Sequence, residues 1–460
     1  MKITWLSILG LVVIGFIAVA CFKKSKPALP PAPSRTVQVP EWAKNANIYE
    51  VNIRQYTPEG TLSEFIPHIS RLKDMGVKIL WLMPINPISV AKRKGSLGSY
   101  YAVNSYRKVN PEFGNLEDFD LLVKTAHAAG MYIILDWVPN HTGWDHEWIT
   151  AQKDYYTQDA QGNVIDPIDP ATGTSWGWTD VADLNYDNHA MRAAMIEEMK
   201  YWVINHDIDG FRCDVAHNVP VDFWETCTDS LYKIKPLFML AEAEVPALRN
   251  TGSFVMDYAW EFHHHLNAIA QGKETVNIID TMLNALKARN KQGYSMHFTS
   301  NHDENSWQGT EFERMGDAHK PLAVLVHTLD GMPLIYSGQE EPLKKRLLFF
   351  ERDTIPFSTF SYAAFYKSLL DLKSSMPALW NGQDGATAER INTSDAVYAF
   401  RRIKDKQGVA VIINLTSQPQ VARLNQPVNG TELFTGQTVS YSSDSSIKLE
   451  PWAYHVILIK

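Results

Sequence analysis

Four acidic residues stand at or just past the ends of apolar runs: Asp136 after Met131-Tyr132-Ile133-Ile134-Leu135, Asp214 after Gly210-Phe211-Arg212-Cys213, Glu242 after Leu237 to Ala241, and Asp303 beyond Tyr294 to Phe298. Side chains two apart share one face of a strand, so Arg212 lies on the side of Asp214 and its permanent charge holds that carboxylate ionised at neutral pH. An ionised carboxylate suits a nucleophile. Two carboxyl groups about 5 to 5.5 Å apart, one attacking and one carrying a proton, are what cleavage of a glycosidic bond with retention requires, and Asp214 and Glu242 end successive runs. Taken alone, Arg212 and Asp214 read equally well as an ion pair that holds a strand in place. The recurrence of acids at later strand ends favours chemistry. Glu244, on the same side as Glu242 and one step later, is the rival acid.

Something must bring these residues together. Strand candidates at 48–53, 77–83, 131–136, 210–215, 237–241, 254–257, 294–298 and 334–336 alternate with helical segments at 61–75, 116–129, 189–206, 221–233, 274–290, 317–329 and 359–373. The helix from Thr61 begins with a capping-box-like Thr61-Leu62-Ser63-Glu64. Eight continuously apolar strands, each followed by an amphipathic segment, predict a parallel sheet covered on its outside and closed as a (β/α)8 barrel, here over 44–380. The active site of such a barrel lies at the C-terminal ends of its strands, where the four acids fall. The rhythm breaks at 138–187, a Gly-, Pro-, Asp- and Trp-rich stretch that reads as a small lobe inserted after strand three. After about Asn381 the helices stop, and short strand-like runs separated by Gly, Asn and Ser turns predict a C-terminal antiparallel β-sandwich over 381–460.

At 460 residues, 45% hydrophobic and 20% charged, the chain suits a large barrel with a smaller partner domain. A net charge of -8 argues against a nucleic-acid partner, which calls for a basic face. Three cysteines imply no disulfide framework, and Cys213 reads as a small buried thiol. The triplet His263-His264-His265 points three ways on a helix, which favours packing or solvation over a metal site. Asp145 and His146 lie near the site in sequence without an assigned role.

The N-terminus is set apart. Residues 1–20 start with Lys2, run apolar from Trp5 to Ala20, and end in Ala18-Val19-Ala20-Cys21. The run is shorter than a membrane span, and small residues before a single Cys resemble a bacterial lipoprotein signal, which implies lipidation at Cys21. Residues 21–43, rich in Lys and then Pro, read as a solvated tether to a membrane, with periplasm-facing and cell-surface placements both open.

The motifs around the acids resemble the alpha-amylase family of glycoside hydrolases, glycoside hydrolase family thirteen. Asp136-Trp137-Val138-Pro139-Asn140-His141, Gly210-Phe211-Arg212-Cys213-Asp214, Leu240-Ala241-Glu242-Ala243 and Phe298-Thr299-Ser300-Asn301-His302-Asp303 match its four conserved segments in order, with Asp183-Leu184-Asn185 and Gly331 to Gly338 in support. The resemblance implies Asp214 as nucleophile, Glu242 as general acid/base and Asp303 as the carboxylate that steadies the transition state. It further implies a substrate-binding group of Arg212, His141, His302, Tyr100 and Asp136, with Arg212 also orienting Asp214 and Tyr100, or its neighbour Tyr101, stacking under the sugar. Glu242 would need its pKa raised, which Asp214, Asp303 and the apolar run before it favour. The expected activity is retaining hydrolysis of alpha-glucosidic bonds in starch-like glucans or maltooligosaccharides. Transglycosylation and cyclodextrin or pullulan hydrolysis are the alternatives within the family, and a non-catalytic glucan-binding lipoprotein is the alternative outside it. No cofactor is required on this reading; many relatives bind calcium through the residue matching Asn140, although Asn218 stands where their second ligand, a His, is often found.

Overall fold

The computed structural model describes residues 35–169, 172–289, 292–443 and 445–459. The leader at 1–20 and Cys21 lie outside the described residues. Eight parallel strands close a barrel in chain order, as the apolar runs predict: β1 (Ile48–Val51), β2 (Ile79–Leu82), β3 (Tyr132–Trp137), β4 (Gly210–Cys213), β5 (Phe238–Ala241), β6 (Met256–Tyr258), β7 (Tyr294–His297) and β8 (Met332–Tyr336), with β8 pairing back to β1.

Alternation along each strand separates two apolar populations. Ile48, Ile79, Ile134, Phe238, Met256 and Leu334 belong to the cluster filling the barrel. Their neighbours Tyr49, Leu80, Ile133, Phe211, Met239 and Ile335 pack outward with the helices. One step of two further along, the inward positions turn polar: Glu50 on β1, Asp136 on β3 and Arg212 on β4, with Asp136 and Arg212 directly paired in register. Gly210 starts β4 where a Cβ would sit 1.9 Å from the Phe238 carbonyl oxygen, so only glycine lets β4 and β5 approach this closely.

Where the structure departs from the sequence reading, the cause is local. The expected helix at 61–75 is broken into Leu62–Phe65 and His68–Met75 around Pro67, which has no N–H to continue the ladder. Asp303 does not end β7, which stops at His297; it begins a helical turn on the loop beyond. The part of the expected tether that is described, 35–43, is not solvated: Val37 and Ala43 are buried, and Trp42 stacks on Tyr132 at 3.8 Å under the barrel floor. Apolar Val37, Val39 and Trp42 have a surface to cover there.

Within 138–187, His141–Gly143 pairs antiparallel with Val181–Asp183, so the lobe leaves and re-enters the barrel through adjacent strands. At the C-terminal end, a six-stranded antiparallel sheet faces a two-stranded one, Gln420–Arg423 with Ser446–Leu449. Ile391, Val397, Ala410, Ile412, Ile447 and Ile457 are buried in one cluster there. The opposite face of the large sheet, through Tyr398, Phe400, Val411 and Val456, shares a core with barrel helices, including Trp260–Ala270 and His319–Thr328. Arg402 pins this junction. Fully buried, it donates to the carbonyls of Ala386 (2.6 Å), Thr328 (3.1 Å), Leu329 (2.7 Å) and Trp380 (3.0 Å).

Arg402→Ala strips four buried carbonyls of their donor and leaves a cavity, so chemical denaturation should show unfolding weakened by about 3 kcal/mol or more. A loss below about 1 kcal/mol would show that the junction holds without it.

Candidate active site

Arg212 sits at the centre of the barrel mouth with no exposed side-chain surface. Its Nη1 donates to Asp136 Oδ1 (2.9 Å) and Asp214 Oδ1 (2.8 Å), its Nη2 lies 2.9 Å from Glu242 Oε1, and its Nε donates to the Tyr258 hydroxyl at 3.1 Å. Three strand ends are thus drawn onto one guanidinium. Asp214 and Glu242 thus sit together on one cation, each close enough to act on the other's ionisation. The second oxygen of Glu242 accepts from the Val215 N–H at 2.7 Å.

The protonation differs from the sequence expectation. Burial and the adjacent Glu242 push Asp214 well above the usual carboxylate range despite Arg212. Glu242 is buried as well, but Arg212 and the Val215 amide more than offset this and hold it low. Arg212 contacts both acids, and the Val215 amide adds a donor that only Glu242 receives.

A second cation faces the first. His302 is enclosed between Glu50, whose Oε1 lies 2.5 Å from Nδ1, and the Tyr101 hydroxyl, 2.8 Å from Nε2; Asp303 Oδ2 is 3.4 Å from that same nitrogen. Burial would lower its pKa, but Asp303 and Glu50 override this and raise it to about 9, so His302 is an imidazolium at neutral pH. Tyr101 also donates to Asp136 Oδ2 (3.0 Å), which accepts from Trp81 Nε1 (3.1 Å). His141 behaves differently: burial, only partly opposed by Asp180, lowers it to about 4 and keeps the ring neutral.

These groups open onto a cleft of about 580 Å³ lined by Asp214, Glu242, Asp303, His141, His302 and Tyr101 and walled by Trp178, Trp307, Phe349 and Phe350. Tyr101 lies parallel to Phe349 (6.2 Å, 7°), and Trp178 to the exposed Trp176 (6.0 Å, 21°). Flat aromatic walls with carboxylates and imidazoles at the floor fit a sugar ring, whose apolar faces stack and whose hydroxyls take hydrogen bonds.

Of the residues expected here, Asp214, Glu242, Asp303, His141 and His302 converge on this cleft. Tyr100 does not. It is 1% exposed and lies beneath the Arg54 guanidinium, and Tyr101 takes the place at the cleft. Asp136 and Arg212, expected to touch substrate, have fully buried side chains below the floor and act by positioning others. Glu244 is turned away to Arg289 (2.6 Å) and the Glu261 amide (2.9 Å). Asn140 points its amide at the His141 ring (3.2 Å), and among the described residues no group of three or more His, Cys, Asp or Glu assembles that could hold a metal, so no such cluster accompanies Asn140. His263 is buried in a stack on Phe298, with Glu304 3.0 Å from its ring. Asp145 accepts from the Val90 and Ala91 amides, and His146 caps the helix Glu147–Ala151. Cys213 is buried, which pushes its thiol up and out of reach of chemistry.

Sequence reasoning missed Glu50, Trp178, Trp307 and Phe349. Glu50 had a usable signal, being two residues past inward-facing Ile48 on a strand. The aromatics lie on loops with no periodicity to place them.

The alpha amylase catalytic domain model matches residues 21–354. An alpha-amylase of Haloarcula japonica is 25% identical over 421 residues, covering 88% of this chain and 60% of that protein. A cyclomaltodextrin glucanotransferase of Bacillus licheniformis is 28% identical over 394 residues, 76% of this chain and 53% of its own. The chain thus spans between half and two thirds of the length of these two relatives. The crystal structure of an alpha-amylase from Lactobacillus plantarum superposes with a TM-score of 0.81 at 27% identity, covering 91% of this chain and all of that one.

A histidine whose pKa is raised on folding stabilises the protein fully below its unfolded value and less as pH climbs through the folded one. His302 therefore contributes in full below about pH 6.5 and loses its contribution as pH rises through about 9. Urea unfolding between pH 6.5 and 9 should show this loss in the wild type and a shallower one in Glu50→Gln, whose His302 should titrate at lower pH by NMR. Equal slopes and an unmoved titration would detach His302 from Glu50.

Proposed function

Because the chain belongs to the alpha-amylase family, we propose that it hydrolyses alpha-glucosidic bonds of starch-like glucans or maltooligosaccharides with retention, through a covalent glycosyl-enzyme intermediate. The observation that carries this reading is the gathering of Asp214 and Glu242 on one guanidinium at the floor of the aromatic cleft. Two acids held on one cation at neighbouring strand ends suit double displacement, in which one attacks and the other carries the proton.

In the first step an Asp214 oxygen bonds to the anomeric carbon as the bond to the leaving oxygen breaks and Glu242 gives that oxygen its proton. In the second, Glu242 takes a proton from water, whose oxygen bonds to the anomeric carbon and frees Asp214. Arg212 keeps Asp214 Oδ1, which fixes the plane of the carboxylate and leaves Oδ2 to attack. A glycosidic oxygen arriving between the two acids draws a proton to Glu242, the side that the leaving group needs. Asp303 takes sugar hydroxyls, the His302 imidazolium donates to another, neutral His141 accepts or donates at the far edge, and Tyr101 stacks beneath the ring.

The similarity to a glucanotransferase supports a second reading, in which a sugar hydroxyl rather than water resolves the intermediate. Product analysis with added maltose as acceptor separates the two. The sequence Ala18-Val19-Ala20-Cys21 supports a lipid anchor at Cys21 in a bacterial membrane, most simply the outer one. Intact mass of the membrane-extracted protein should show a diacylglyceryl group on an N-terminal Cys21, and a product that retains Met1 would reject the anchor.

Glu242→Gln should lower turnover of maltooligosaccharides by about 10²- to 10⁴-fold. It should spare the first step on alpha-glucosyl fluoride, whose leaving group needs no proton. With 5-fluoro-alpha-glucosyl fluoride, mass spectrometry of the wild type should find the sugar on a peptide containing Asp214, and the first-formed product should be the alpha anomer. A beta anomer, or an adduct elsewhere, would overturn the assignment.

A further inference from the structure

The loop 90–98 after β2 is anchored at both ends and along its length. The Val90 and Ala91 amides donate to Asp145 Oδ2 at 2.8 and 3.2 Å. Lys94 Nζ reaches the inserted lobe, 2.8 Å from Asp180 Oδ1 and 3.2 Å from the Gly177 carbonyl. On the other side, the Ser96 amide donates to Glu351 Oε1 (2.9 Å) and the Leu97 amide to the Phe350 carbonyl (3.0 Å) on the segment that follows β8. Between these anchors Gly95 adopts φ +64°, where a Cβ would lie 2.4 Å from that of Phe350. The loop is a strap tied to the lobe after β3 and to the loop after β8.

Its position relative to the acids matters. In a closed ring of eight strands in chain order, β5, which carries Glu242 at its end, lies opposite β1. The strap covers the arc from β8 through β1 and β2 to β3. Glu242 delivers its proton to the leaving oxygen, so the leaving part of the chain exits on the β5 side. A second depression of about 390 Å³, lined by Val215, His217, Glu242, Val245 and Trp260, continues the cleft that way. The part of the glucan on the other side of the scissile bond runs toward the strap. Asp180, only 6% exposed, is paired with Lys94 at this wall of the cleft.

We propose that the strap, latched by Lys94 and Asp180, closes the glycone end of the cleft, so that the enzyme takes its substrate by the non-reducing end and removes short units from it. The inference rests on the hydrolase reading above. A chain threading through the cleft would have to displace the latch, whereas a chain end stops against it.

Two maltoheptaosides test this, one with a free non-reducing end and one whose terminal O4 and O6 are tied in a cyclic acetal, with products resolved by chromatography. The wild type should cleave the free substrate about a hundredfold faster than the capped one, and Lys94→Ala and Gly95→Val should cut that ratio about tenfold. Comparable wild-type rates on both substrates would overturn the strap and leave the hydrolase reading intact. Cleavage of neither would overturn the hydrolase reading itself. A ratio unmoved in both variants, each folded by circular dichroism, would overturn the latch.

Discussion

Arg212 carries a positive charge into the barrel with no exposed surface, and three carboxylates from three strand ends close on it at 2.8 to 2.9 Å. Burying an ion is costly, and attraction offsets that cost only where geometry is close and the remaining donors are filled. Here the Tyr258 hydroxyl occupies Nε, and Trp81, Tyr101 and Tyr258 rings surround the guanidinium. Without it, Asp136, Asp214 and Glu242 would repel one another in a low dielectric and could be kept together only as neutral acids. The catalytic spacing is thus a by-product of charge neutralisation, and the acids stay where the cation is.

The surrounding charges do not balance. Arg212 and the His302 imidazolium face Asp136, Asp214, Glu242, Glu50 and Asp303, and burial raises the first two of these acids and Glu50. A site with more acids than cations makes the ionisation of each acid depend on that of its neighbours. The two carboxyls titrate as a unit, and their division into an attacking base and a donating acid is completed only when a glycosidic oxygen lies between them.

The barrel was legible because its strands are buried on both faces, which writes them as uninterrupted apolar runs, and because an acid after such a run has few places to go but the barrel rim. Asp214 and Glu242 followed from that, and His141 and His302 from the motifs that resemble the family. Parity carries further than it was used: counting by twos from Ile48, Ile79 and Ile134 puts Glu50, Trp81 and Asp136 inward on one level, which would have placed Glu50 under the site and Asp136 beneath the surface. What sequence could not resolve lies on loops. Tyr100 and Tyr101 are adjacent, and nothing local says which ring turns to the cleft; the choice is made by Arg54 beneath one and by His302 and Asp136 beside the other. Phe349 and Lys94 depend on contacts between segments more than eighty residues apart, and Trp178 on a ring contact with His141, with no period to reveal them. The shifts of the central pair depend in part on the Val215 amide, a backbone donor with no sequence signature.

Val215 shows how far the barrel dictates the site. A β-branched residue at φ +37° and ψ +44° is strained, by about 1 to 3 kcal/mol, and persists only where its surroundings over-determine it. On one side Asp214 is fixed, through its amide to the Trp137 carbonyl (2.8 Å) and its carboxylate to Arg212. On the other, the Ala216 carbonyl is held by Trp224 Nε1 at 3.0 Å. The chain must reverse between these two points within one residue, and the left-handed turn is what does so while aiming the Val215 N–H at Glu242. Glycine would relieve the strain, but it would also free the turn in the unfolded chain and remove a side chain that walls the cleft on the leaving-group side. The strain is therefore held by the same strand ends that hold the carboxylates, and its product is a fixed amide that keeps Glu242 facing its partner before any sugar binds.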